Sequence, residues 1–104
     1  MGQERRLKLH AELCNLLGSN EVYYQPPESV KMKYDAIVYY LSDIDQNYAN
    51  DRTYSNMSMY SIIVISKSPE SDLVERLLHS FPYCSFDRSY KSDNLNHYVM
   101  KLYY

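Results

Sequence analysis

Tryptophan is absent from this chain, and glycine, phenylalanine and cysteine occur only twice each. Each scarcity excludes something. With Gly2 and Gly18 the only glycines, no glycine-rich phosphate loop, dinucleotide fingerprint or Gly-x-Ser-x-Gly nucleophile elbow can be written. Cys14 and Cys84 stand far apart and in no Cys-x-x-Cys spacing, which points to two buried thiols. No apolar run approaches the ~20 residues that span a bilayer, and the first residues carry charges where a signal peptide is apolar. Cytoplasm is the expected starting compartment. The formal net charge of −2 leaves no basic footprint for nucleic acid, and no membrane partner is expected.

What is abundant is tyrosine, thirteen residues in a chain of 104. Tyrosine combines a large apolar face with a polar tip, which suits half-wet sheet surfaces and interfaces. A hydrophobic fraction of 45% with 23% charged residues places the chain among folded proteins. Its length suits a single domain, 1–104, that hides only about two-thirds of its unfolded surface. Self-association would add stability to so small a core.

Hydrophobic spacing predicts the elements. From Gln3 to Leu17, the residues Leu9, Leu13, Leu16 and Leu17 share one helical face, and Gly18 is placed to end the helix. Val22 to Gln25 is a short β-prone run closed by Pro26-Pro27. Tyr34 to Leu41 is apolar in both alternation sets and reads as a central strand covered on both faces. The polar, acidic run Ser42 to Thr53 reads as a long loop or arm. Met57 to Ser66 returns as a strand, with Tyr60, Ile62 and Val64 on one face and Met57, Met59, Ile63 and Ile65 on the other. Ser68 and Pro69 suggest an N-cap and first helical residue, and Leu73, Val74, Leu77 and Leu78 form the stripe of that helix before Pro82. Tyr83 to Tyr90 and Leu95 to Tyr104, joined near Asp93-Asn94, suggest a hairpin. The expected fold is α+β in the order α-β-β-β-α-β-β. It has a mainly antiparallel four- to five-stranded sheet with two helices packed on one face, and Leu13 and Leu17 set against Val38 and Ile63.

A catalytic or metal centre needs convergent groups. His10, His79 and His97 show no paired-ligand spacing. Asp43, Asp45 and Asp51 lack the glycine and closing glutamate of a calcium loop, so they read as a solvated acidic segment. Asp87, Arg88, Asp93 and His97 around the last hairpin read as cross-strand salt bridges. No catalytic residue, metal ligand or cofactor is expected, and the chain reads as a non-enzyme that binds other proteins.

The order of segments resembles the tail terminator (tail completion, head-tail joining) proteins of long-tailed bacteriophages. These open with an amphipathic helix and continue with a Tyr-rich strand ending in prolines, here Val22-Tyr23-Tyr24-Gln25-Pro26-Pro27. A Tyr-x-x-Ile-Val-Tyr strand follows, here Tyr34 to Tyr39, then an acidic hairpin loop, a strand such as Tyr60 to Ile65, the step Ser68 to Asp72 into a helix, and a closing hairpin. The closing run from Cys84 to Arg88, with Asp93 to His97, is similar to phage tail-joining proteins. Lys33 stands where members often carry proline. The resemblance implies a virion structural protein of the tail or neck, assembled in the host cytoplasm into a ring, usually of six subunits. Such a ring caps the tail tube, ends its polymerisation and joins it to the head connector or stopper protein. DNA passes through its lumen without sequence-specific binding. The implied interface residues are Asp43, Ile44, Asp45, Tyr48, Asp51, Arg52 and Tyr54 of the long loop. The same economy suits another neck or baseplate component, or a small host-directed protein-binding module that would stay monomeric or dimeric.

Overall fold

The computed structural model describes residues 2–27, 30–44, 58–69 and 71–104, with the side chains of residues 3, 43 and 44 outside that description. Their elements are α1 (Gly2–Leu17), β1 (Val22–Tyr24), β2 (Ala36–Ile44), β3 (Ser58–Ser66), α2 (Leu73–Ser80), β4 (Cys84–Ser92) and β5 (Leu95–Tyr103). The fold is α+β, with two helices and one five-stranded sheet ordered β1-β2-β3-β5-β4.

Helix α1 ends where expected. Gly18 takes φ +83°, a left-handed conformation that a Cβ would oppose, and its N–H reaches the Cys14 carbonyl at 2.8 Å. Leu9 and Leu13 are fully buried, while Leu16 and Leu17 are half-buried at the margin of the same stripe.

The sheet is mixed, which corrects the antiparallel expectation at one edge. β2–β3, β3–β5 and β4–β5 pair antiparallel, but β1 runs parallel to β2, with Val22, Tyr23 and Tyr24 opposite Ile37, Val38 and Tyr39. Parallel neighbours cannot be joined by a tight turn, so the chain must cross over between them. Gln25 turns out of β1 with φ 44°, and Pro26-Pro27 keep it from pairing further. Before β2 begins, the Lys33 backbone meets the Tyr23 hydroxyl of β1.

Register separates the two faces. Val22, Ile37, Tyr39, Tyr60, Ile62, Val64, Met100 and Leu102 join Leu9, Leu13, Leu73 and Leu77 in one core. Val38 and Ile63 pair with each other on the opposite face, so they do not receive Leu13. Parity explains the correction: odd-numbered β2 residues and even-numbered β3 residues point to the helices. β3, not β2, is the middle strand. The segment from Ala36 to Tyr39 is nevertheless buried on both faces, as its apolar alternation sets suggest.

Two boundaries moved. Strand β2 starts at Ala36 and runs through Ile44, so Asp43 and Ile44 lie in the ladder opposite Met59 and Ser58, beyond an irregularity after Leu41. Helix α2 begins at Leu73 with Asp72 at the N-cap, not at Ser68. The Pro69 carbonyl is held at 2.8 Å by the Tyr98 hydroxyl of β5, and the Ser68 N–H by the Ser66 hydroxyl, which keeps this stretch out of the helix.

The β4–β5 hairpin closes through Asp93 and Asn94, at φ 53° and 63°. Positive φ at both central residues gives the turn the twist that antiparallel strands prefer, and Asp and Asn tolerate it. Among the described residues no helix is long and apolar enough to cross a membrane.

Candidate interaction surface

Helix α1 sits on the sheet through polar as well as apolar groups. Arg6 and His10, one turn apart on its flank, both reach the buried Tyr39 hydroxyl of β2: Arg6 Nη1 donates to it at 3.3 Å, and His10 Nδ1 lies 2.8 Å away. The Arg6 guanidinium also stands 4.4 Å above the Tyr24 ring. Tyr39 meets Tyr24 at 4.9 Å and Tyr60 at 6.0 Å between ring centroids. Both hydrogen bonds are satisfied when the Tyr39 O–H donates to an unprotonated His10. Burial, with Arg6 adding repulsion, lowers the His10 pKa and favours that form. This arrangement fixes a helix over a sheet, and its partners are consumed in doing so.

Burial raises the Cys84 thiol to about 11, and burial with Glu12 raises the Tyr104 hydroxyl to about 12. A pH window of stability follows. Below the ordinary histidine value of 6.5 the unfolded chain takes up a proton that folded His10 resists, so stability falls as pH drops. Above the ordinary cysteine value of 9.0 the unfolded chain releases the Cys84 proton first, so stability falls as pH rises towards 11. Thermal melts across this range should show a plateau between the two limbs. His10→Gln should flatten the acid limb and leave the alkaline one.

The polar groups singled out in sequence take separate places. The cross-strand salt bridges expected in the last hairpin are not what forms there: Arg88 pairs with its neighbour Asp87 at 2.8 Å, and both stay exposed enough for water to weaken the pair. His97 instead stacks on Tyr90 across the strands, with centroids 4.7 Å apart and planes 13° from parallel. His79 lies exposed in the last turn of α2. Cys14 and Cys84 are both free and half-buried. Of the loop residues, Asp43 and Ile44 end β2, while Asp45, Tyr48, Asp51, Arg52 and Tyr54 lie outside the described residues. Among the described residues, no group of three or more metal-ligating side chains is gathered.

Among the described residues, two of the concavities beside the helices are lined by charged groups. One, of about 370 Å³, lies where α1 ends and α2 begins, lined by Glu21, Lys33, Asp35, Asp72 and Arg76 among others. Its charges are largely engaged with the fold: Arg76 binds Asp72 at 2.8 Å and the Leu16 carbonyl at 2.9 Å, and Asp35 accepts the Lys67 N–H. The other, of about 380 Å³, opens between the first turns of α1, the end of α2 and the last residues of the chain. It is lined by Arg5, Lys8 and Glu12 of α1 and by the aromatic Phe81, Tyr83 and Tyr104. Sequence reasoning missed this cleft. Its signal was the set of aromatics beside Pro82 and at the C-terminal tyrosine pair.

The outermost strand supplies the other notable surface. All of β4 after Cys84 is exposed, and it carries Phe86 and Tyr90, 48% and 43% exposed. An irregularity between Phe86 and Arg88 and the charges of Asp87, Arg88 and Lys91 interrupt this edge, as proteins do to control strand addition. The opposite edge is different: β1 pairs with β2 from Ile37 to Tyr39, Gln25 Oε1 accepts the Leu41 N–H at 3.2 Å, and Tyr40 between them is 38% exposed. Comparison with protein-family models, curated proteins and solved structures gives no match.

Proposed function

We propose that this chain is a non-enzymatic structural subunit of a bacteriophage tail, which assembles into a closed ring at the end of the tail tube. The ring, of six copies in the proteins it resembles, ends tube polymerisation and joins the tail to the head connector or stopper, with DNA passing through its lumen. The observation that carries this reading is the pair of unlike sheet edges. A ring needs a heterologous interface, in which one patch meets a different patch on the next copy. Here a long edge bearing Phe86 and Tyr90 stands at one side of the sheet, and a three-residue strand with Tyr40 beyond it at the other. Aromatics of this kind favour interfaces because they bury much area at little entropic cost.

Sedimentation velocity at high concentration, with electron microscopy of the protein and of isolated tails, tests the proposal. Closed rings are expected, alone or seated on tube ends. A protein that stays monomeric at all concentrations and is absent from tails overturns it.

A further inference from the structure

The cleft between α1 and the α2–β4 turn has a chemistry of its own. Its lining includes the cationic Arg5 and Lys8, and Glu12, which the Tyr104 hydroxyl engages. The rest of the lining is largely aromatic, with Phe81, Tyr83 and Tyr104. Such a site suits an extended segment that offers carboxylates to one side and tyrosine or aliphatic side chains to the other.

The chain contains such a segment. Residues 43–54 carry Asp43, Asp45 and Asp51 against the single Arg52, with Ile44, Tyr48 and Tyr54 between them. Its position also fits. Ser58, where the chain re-enters the sheet, exchanges backbone hydrogen bonds with Tyr104 at 3.1 and 3.0 Å, and Tyr104 lines the cleft. The segment therefore leaves the sheet at the end where the cleft opens. In a ring with one rotation axis every copy stands at the same height, so features at one end of a subunit face the same end of its neighbour. The stretch between Ile44 and Ser58 can reach out and back across roughly 20 Å, enough to bridge two adjoining subunits.

We propose that the cleft is the seat for the acidic 43–54 segment of a second copy of this chain, an assignment that rests on the ring reading. The charges of Arg5 and Lys8 complement Asp45 and Asp51 of that segment, and Phe81 and Tyr83 suit its tyrosines.

A synthetic peptide of residues 43–54, titrated into the isotope-labelled chain, tests the seat directly. Saturable amide shifts should cluster on Lys8, Phe81, Tyr83 and Tyr104 and weaken with added salt. Lys8→Glu, checked as folded by its own spectrum, should weaken binding about tenfold. No saturable shift, shifts elsewhere on the surface, or equal affinity for Lys8→Glu overturns the assignment. Assembly gives the second measurement. A chain with Asp45→Lys and Asp51→Lys, and another with Arg5→Glu and Lys8→Glu, should each fail to form rings alone and form them when mixed. If each reversed chain makes rings by itself, the seat is wrong and the ring stands. If the peptide seats in the cleft while no ring forms, the ring reading falls and the cleft is a binding site for this sequence.

Discussion

Leu13→Ala should cost roughly 2–5 kcal/mol of folding stability, a large share of the ~5–15 kcal/mol typical of a domain. Leu13 is fully buried in one cluster with Leu9, Ile37 and Ile62. Truncation removes buried methyl groups and leaves a cavity that a helix anchored by Leu9 above and Gly18 below cannot close by shifting. Denaturant melts should show an earlier midpoint with little change in slope, because the surface exposed on unfolding is nearly the same. A melt indistinguishable from the parent would mean that α1 is not part of the cooperative unit. By contrast, His97→Ala, which loses one stacking partner at a partly exposed site, should cost under about 1 kcal/mol.

Tyr39→Ala should have an effect at least as large, about 3–5 kcal/mol, in line with aromatic truncations in other cores. The Tyr39 ring has no exposed surface and meets Tyr24, Tyr60 and His10, so its loss empties the space between α1 and two strands. Tyr39→Phe separates the ring from its hydroxyl. It keeps the packing and leaves His10 and Arg6 without their shared partner, at about 1 kcal/mol. The histidine pKa supplies a second readout. In Tyr39→Phe, proton resonances of His10 should titrate differently from the parent. If Tyr39→Phe destabilises as much as Tyr39→Ala, the hydroxyl network outweighs packing and this account of the cluster is wrong.

These two residues show what was legible from sequence. Leu13 announced itself through spacing, since four leucines on one helical face have to meet something apolar. Tyr39 was legible as buried, because its strand is apolar in both alternation sets. Its partners were not. Arg6 and His10 come from a helix far away in sequence, and pairings of that kind depend on how the helix is placed. The direction of β1 was equally hidden: Val22-Tyr23-Tyr24 would suit either orientation, and the choice lies in the crossover after Pro27. The start of α2 was misread because Ser68-Pro69 has the composition of a helix start. The competing bond from Tyr98 to the Pro69 carbonyl arrives from the end of the chain. The aspartates and tyrosines of the long loop were legible only as chemistry.

The strand order also sets how this chain can find its structure. β4 and β5 are neighbours in sequence and joined by a two-residue turn, so their hairpin closes over a short loop and at small entropic cost. The seam from Met59 opposite Tyr103 to Ser66 opposite Asn96 is another matter, because all of α2 and β4 lie between its two sides. Loop-closure entropy has to be met before that seam returns any contact energy, which makes it the slow step in a topology of this kind. Substitutions along the seam, at Ile62 or Met100, then act mainly on the rate of folding. Those on α1, if it docks after the seam has formed, act on the rate at which the finished molecule comes apart. The middle of the sheet is then the clock of folding, and the first helix is the latch.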